Sequence, residues 1–520
     1  MDSYIGVFCL ALFVITQAFL FDDVRFSGNG ETPTFWRNQA RTAILNRVRQ
    51  PRIEHVAKNV IMFLGDGMSI PTVTAARILK GQLAGHKGEE DSLSFDKFPY
   101  IGLSKTYCQD SQVTDSASSA TAYLCGVKAN IGTIGVDART HHGDCNSQKG
   151  AEVTSILDWS MAAGKSVGFV TTTRVTHATP AGLYANVASR GWEGDYYTRS
   201  VTGGCKDIAA QLIDDYPNVQ VIMGGGRQFF MRADQTDPEH GSNAHYGRRD
   251  GRDLIQEWRN GQHNLNRNYQ YVWNASAFNK VDPATTDSLM GLFEYSHMQY
   301  ELERNDTNHE RAGEPSLAEM TEKAIRILSK NPKGFFLLVE GGRIDMGHHE
   351  GRAKLALYDT IAFSNAVAKG DAITNVNDTL IVVTADHAHV MVIAGYPSRG
   401  NPILGKVDDG SGGLELAADK RPYTTLLYGN GPGYSLVQNQ RPDITNVDTI
   451  DKHYHQQSAV SLGSESHGGD DVGIFARGPM AHLFTGVLEE NEIAHVMAYA
   501  SCVGDYTNPS DCAASAAGKR

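Results

Sequence analysis

The chain has 520 residues, enough to bury a large core as two to four domains or as one α/β domain with insertions. Hydrophobic residues make up 41% and charged residues 20%, an ordinary globular composition. The net charge of −12, with no basic run and no aromatic–basic interleaving, argues against a nucleic-acid binder.

Residues 1–18 are apolar from Tyr4 to Ile15 and end on Thr16-Gln17-Ala18, a small-x-small cleavage pattern. The run is too short for a comfortable membrane span, so it reads as a secretory signal. Met1–Tyr4 lacks a basic start, which leaves a signal anchor as the alternative. Residues 19–55 form an arm containing an amphipathic helix, Phe35–Arg49, suited to packing on a partner subunit or to lying solvated on the surface. Strand-like apolar runs follow at Val60–Leu64, Val167–Val170, Val219–Met223, Phe335–Val339 and Leu380–Val383. Helical patterns alternate with them at Pro71–Leu83, Ser155–Ala163, Lys206–Asp214, Ser316–Ser329, Arg352–Ala368 and Glu490–Ala500. Strands apolar throughout, alternating with helices, predict a large, mostly parallel sheet covered on both faces. Residues 231–314 and 395–457 break the rhythm and read as insertions on the sheet's surface, followed at 504–520 by a polar tail.

Secretion changes the reading of the cysteines. Cys9 leaves with the signal, and an oxidising compartment permits disulfides among the other six. Cys502 and Cys512 are close enough in the tail to pair, while Cys108, Cys125, Cys145 and Cys205 allow three connectivities. Sequons at Asn274, Asn305 and Asn377 fit a glycoprotein.

Around Ser116 the chain reads Val113-Thr114-Asp115-Ser116-Ala117-Ser118-Ser119-Ala120-Thr121. A serine between an aspartate and small residues suits the first turn of a helix, where unpaired N–H groups favour an anion. With no histidine nearby in sequence, activation by a metal ion is the natural route; an ordinary N-cap is the bland alternative. Acid and histidine clusters then sit at predicted strand ends: Asp66 after the first strand, Glu340–Glu350, Asp386–His389, and Ser466–Asp471 before Val472–Phe475. In open α/β sheets ligands bind beyond the carboxyl ends of the strands. One Asp-Gly there is a turn, but four such clusters point to a catalytic centre with room for more than one metal.

Asp66-Gly67-Met68, Val113–Thr121, Glu340–Glu350, Thr384–His389 and Glu465–Gly469 together resemble the motif set of alkaline phosphatases, the animal enzymes above all. The likeness runs from about Asn59 to Val503 and includes Tyr123–Asn130 and Phe475–Pro479. It implies a three-layer α/β/α sandwich over residues 56–503 and a broad-range phosphate monoester hydrolase. Ser116 would be phosphorylated and Arg190 would clamp the phosphate. Asp345, His349 and His467 would hold one zinc. Asp386, His387 and Ser116 would hold a second, with Asp66 bridging it to a magnesium held by Thr179 and Glu340. His177 and His389 would support these sites. A structural calcium would take Glu239, the Phe293 carbonyl, Glu294 and Glu314, although Glu314 departs from an aspartate in the vertebrate pattern.

The same likeness pairs Cys145 with Cys205 and Cys502 with Cys512, leaves Cys125 unpaired and says nothing of Cys108. It implies a homodimer, with 395–457 as a crown at the interface. Met346 departs from the family, where vertebrate members usually carry histidine. Sulfatases share the wider fold but need a C/S-x-P-x-R motif that Ser116 lacks. A catalytically silent binding homologue would have lost ligands, and every ligand position is filled. The sequence ends without a run of about 10–20 apolar residues, so no lipid-anchor signal is evident. The expectation is a secreted, extracellular protein trimmed to about Ala18, or a sequence that stops short of such a signal.

Overall fold

A computed structural model describes residues 31–241, 246–304 and 313–514. The signal-like segment and Asn305 lie outside them. The described residues fall into two compact units that divide between Gln50 and Pro51. In the first, the helix Pro33–Arg49 starts where Thr32 accepts from the Phe35 N–H and Pro33 needs no partner for its nitrogen. None of its side chains is buried within this unit. Among the described residues no helix is long and apolar enough to cross a membrane.

The second unit carries the strands in chain order. They are β1 (Asn59–Gly65), β2 (Tyr100–Lys105), β3 (Ser166–Arg174), β4 (Val221–Gly225), β5 (Tyr269–Val272), β6 (Ser288–Leu292), β7 (Phe335–Gly341) and β8 (Thr379–Thr384). Short strands β9 (Ala388–His389), β10 (Met391–Ile393), β11 (Leu426–Gly431), β12 (Ser458–Ser461) and β13 (His467–Gly468) precede β14 (Val472–Arg477) and β15 (Gly486–Glu489). Ten of them form one sheet in the order β15-β2-β14-β8-β1-β7-β3-β4-β6-β5. Its pairs are parallel except where β14 runs antiparallel to β8 and β2.

The continuous apolar strands follow from burial on both faces. In β1, Val60, Met62 and Leu64 join one core with the helices Ser116–Cys125, Ile208–Asp215 and Glu492–Ser501. Ile61 and Phe63 join the opposite core with the helices Ile70–Leu83, Leu317–Leu328 and Ala353–Ala372. Alternate side chains thus feed two separate cores, each large one contributing about 1.5–3 kcal/mol by leaving water. Three layers result, as the sequence predicts.

One expectation needs correcting. Residues 231–314 are not only a surface insertion, because they supply β5 and β6, one edge of the central sheet. β5 escapes detection because an edge strand alternates in burial instead of being apolar throughout, and β6 is short and interrupted by Gly291. Residues 395–457 add nothing to that sheet; their β11 pairs with β10 and β12 in a separate sheet of three strands.

Both expected disulfides are present, Cys145–Cys205 and Cys502–Cys512. Cys108 and Cys125 are buried free thiols, and burial pushes the Cys125 thiol far up, out of reach of ionisation. Asn274 caps the helix Ala275–Lys280 through its Oδ1, and Asn377 is exposed just before β8.

Candidate active site

The sheet register gathers the acids. Leu64 of β1 lies beside Glu340 of β7 on one side and Thr384 of β8 on the other. Asp66, Glu340 and Asp386 therefore leave the carboxyl ends of three adjacent strands together. Ser116 opens the helix Ser116–Cys125, with Asp115 as N-cap accepting from the Ser118 N–H and Gly126 closing it at φ 74°. Ser116 is 1% exposed, and its Oγ lies 3.3 Å from Asp66 Oδ1 and 3.2 Å from His387 Nε2. A histidine does stand beside the serine, then; its distance along the chain hides it from a local reading.

Three candidate metal groups share this pocket. Asp345, His349, His389 and His467 form one, Asp66, Asp386 and His387 a second, and Asp66, His177 and Glu340 a third, with ligand atoms in each within 4.8 Å of one another. Asp345 Oδ1 is 2.9 Å from His389 Nε2, 3.2 Å from His349 Nε2 and 3.3 Å from His467 Nε2. The outer ring nitrogens fix the tautomers. His349 Nδ1 meets the Glu465 carbonyl at 2.5 Å, His467 Nδ1 the Thr114 carbonyl at 2.8 Å, and His387 Nδ1 the Ala388 carbonyl at 3.3 Å. A carbonyl only accepts, so each Nδ1 carries a proton and Nε2 is the inward atom whose lone pair a bound cation would take.

The electrostatics also call for cations. Burial, then the charges of Asp386, Asp345 and Glu340, hold the Asp66 carboxyl well above the usual range. Burial raises Asp386 and pushes Glu340 up to about 7. Burial would raise Asp345 too, but the imidazole of His349, with His389 and His467, outweighs it and holds that acid well below the usual range. Burial, then His467, keeps His387 neutral. Burial opposes protonation of His389, but Glu465 and Asp345 overcome it and lift that ring to about 10. Asp66 Oδ2, Thr179 Oγ1, Glu340 Oε1 and Asp386 Oδ2 are buried without hydrogen-bond partners. Inward lone pairs, converging acids and orphaned oxygens are the donor set of divalent metals, with imidazoles suited to zinc and the all-oxygen group of Asp66, Thr179 and Glu340 suited to magnesium.

Arg190 borders the pocket, held by Asp115 at 3.0 Å and donating to His177 Nε2 at 3.1 Å. Sequence reasoning gave no role to Asp115, whose position as N-cap replaces the one considered for Ser116, nor to Glu465. Glu465 accepts from the Val390 N–H and binds His389 Nδ1 at 2.5 Å, bracing β9 against β13. Of the calcium set, Glu239 accepts from Arg227 and Glu294 contacts His240. Gln299 ties Glu294 to Glu314, and Phe293 donates its N–H to the Gly224 carbonyl.

Comparisons with known proteins bear on the family and the fold. The alkaline phosphatase family profile matches residues 57–503. The tissue-nonspecific alkaline phosphatase of Felis catus is 52% identical over 492 residues, covering 94% of this chain and 91% of that protein. The human counterpart is 51% identical with the same coverage, and the alkaline phosphatase of Gadus morhua is 50% identical over 91% of this chain and 98% of its own. Among solved structures, Thermus thermophilus alkaline phosphatase superposes with a TM-score of 0.62 at 22% identity, over 93% of this chain and 99% of that one. The chain belongs to the alkaline phosphatase family of phosphate monoester hydrolases.

Proposed function

We propose that this chain hydrolyses a broad range of phosphate monoesters through a phosphoserine at Ser116, in a site built for two zinc ions and one magnesium. The observation that carries the reading is the Ser116 hydroxyl, buried between an acid and a neutral imidazole that each belong to a metal group. Asp345, His349 and His467 would hold the first zinc, with His389 positioning Asp345. Asp386, His387, Asp66 and Ser116 would hold the second zinc, and Asp66, Thr179 and Glu340 the magnesium. Bound there, the cations would supply charge neutralisation and activation of oxygen nucleophiles.

The chain's own residues do the rest. Arg190, pre-aligned by Asp115, donates to two equatorial phosphoryl oxygens. Ser116 Oγ bonds to phosphorus as the ester oxygen departs with a proton as the alcohol. Water then attacks the same phosphorus, and Ser116 recovers its proton as phosphate leaves. The site grips the phosphoryl group far more than the leaving group, so many alcohols can depart.

Glu239, Glu294, Glu314 and the Phe293 carbonyl would form a calcium site. Val392 and Ile393 on β10 and Val460 on β12, all exposed, support a homodimer through the small sheet. Two disulfides support passage through an oxidising, secretory compartment. Metal analysis with light scattering should find two zinc, one magnesium and one calcium per chain and twice the chain mass. Hydrolysis of p-nitrophenyl phosphate should stop with a chelator. Metal-free protein that still turns over would refute the reading.

Met346 bears on product release. Its Sδ accepts from Arg343 Nη1 at 2.8 Å, and a thioether has no donor to offer bound phosphate. Met346→His should tighten phosphate inhibition several-fold, on the order of one hydrogen bond or about 1 kcal/mol, and slow release-limited turnover. Equal inhibition constants at matched pH and metal loading would show that the side chain is irrelevant.

A further inference from the structure

One buried ring ties the walls of the pocket together without joining any ligand group. His348 lies in the helix Arg343–His349 with Asp345 and His349, yet it belongs to none of the metal groups among the described residues. It is 0% exposed, and a hydroxyl engages each of its nitrogens. Nε2 meets Thr72 Oγ1 at 3.0 Å, and Nδ1 meets the Tyr428 hydroxyl at 2.8 Å. The ring also stacks on His389, with centroids 4.7 Å apart and planes inclined by 29°.

Segments far apart in the chain meet at this ring. Thr72 stands in the first turn of the helix Ile70–Leu83, which begins just beyond Asp66. Ser69 caps that helix, accepting from the Thr72 N–H, and its hydroxyl lies 2.8 Å from Thr72 Oγ1. Tyr428 is on β11, opposite Met391 of β10, the strand that follows His389. The bond from His348 to Thr72 therefore joins the helix after Asp66 to the helix of Asp345 and His349. The space between those two sides is narrow. A Cβ on Gly67 would lie 2.4 Å from His389 Nε2 and 3.2 Å from the Asp345 Cα, and the Gly67 N–H donates to Asp386 Oδ1 at 2.9 Å. An apolar side chain at 348 could fill the same volume, but apolar burial is not directional, whereas hydrogen bonds fix distance and angle. Thr72, His348 and Tyr428 are each at most 2% exposed, so losing one partner leaves the next polar group buried and unpaired.

We propose that His348 is a positioning residue of the metal pocket. Through Thr72 and His389 it sets the distance between Asp66, which two of the metal groups share, and the group of Asp345 and His349. The inference rests on the phosphatase reading with its zinc assignment, and adds a residue that touches neither metal nor substrate. A shift of about 1 Å in that distance would slow catalysis even with every ligand present.

The test uses full-length protein, stripped with a chelator and then titrated with zinc against a competing indicator. The same protein loaded with cobalt gives a visible spectrum that reports ligand geometry. Thr72→Val removes the hydroxyl and keeps the shape, Thr72→Ser returns the hydroxyl, and His348→Leu removes the ring. Thr72→Val should weaken zinc binding about tenfold and shift the cobalt bands. At saturating zinc it should lower kcat for p-nitrophenyl phosphate about tenfold, with KM within about twofold. Thr72→Ser should restore all of these. Adding Thr72→Val to His348→Leu should cost nothing further, because the hydroxyl acts through the ring. A Thr72→Val protein that melts at lower temperature but binds zinc within about twofold of wild type, with unchanged cobalt bands, has lost only a structural bond, and that result overturns the proposal. If the wild type binds zinc and cleaves the ester while the variants match it, this inference alone falls; a wild type that takes up no zinc sinks the metal assignment as well.

Discussion

Ser116→Ala should abolish the phosphoenzyme and lower kcat/KM on the order of 10⁴-fold or more, the scale of losing a covalent nucleophile. The fold should survive. The helix Ser116–Cys125 is capped by Asp115, not by Ser116, and alanine is the best helix former available at the first helical position. Arg190 keeps its Asp115 partner, so phosphate should still bind. The check is acid quenching of enzyme mixed with labelled phosphate, followed by identification of phosphoserine. Wild-type enzyme that carries no label under acid conditions, or an alanine variant that turns over normally, would end the covalent mechanism.

Metal stripping should do more than stop catalysis; it should make stability depend on pH. Asp66, Asp386 and Glu340 all titrate above their ordinary values of 3.8 and 4.5 when no cation is bound, because burial and mutual repulsion penalise their charges. An acid with a raised folded-state pKa binds its proton more tightly folded than unfolded. The stripped protein is therefore expected to be relatively stable in acid and to lose stability as pH climbs from the ordinary carboxylate range through about 7, where Glu340 titrates. His389 works in a higher window: its raised pKa favours the fold below the ordinary 6.5 and loses that favour as pH rises through about 10. Bound cations keep the carboxylates ionised and remove the first slope. Thermal melts of chelated and metal-loaded protein between about pH 5 and about pH 8 should diverge with rising pH, by a few kcal/mol in all. Parallel melting curves across that range would contradict the assignment of these acids to a cation site.

Much of this was legible in the sequence, for definite reasons. β1, β7 and β8 announce themselves because both their faces are buried, leaving Ile61-Met62-Phe63 and Leu380-Ile381-Val382 without a polar interruption. The acids at their ends could be located as soon as the strands were. β5 could not, since an edge strand buries only part of itself. The partners of the ligands were also out of reach. Glu465 reaches His389 across 76 positions and Asp115 reaches Arg190 across 75, and no local pattern encodes such distances.

The order of the sheet governs when this protein can acquire its metals. β1 is the earliest strand of the sheet in the chain, yet it lies between β7 and β8, with Val60 beside Phe336 and Leu380. The last imidazole, His467, comes into place where β13 pairs with β9. A nascent chain emerging from the ribosome therefore carries Asp66 and Ser116 for most of its synthesis with nowhere to put them. The oxygens of Asp66 and Glu340 could come together once β7 has joined β1, whereas the group that contains His467 has to wait for nearly the whole chain. A chain that stops before β13 would leave that one group of ligands open and would lack β14 and β15 of the central sheet.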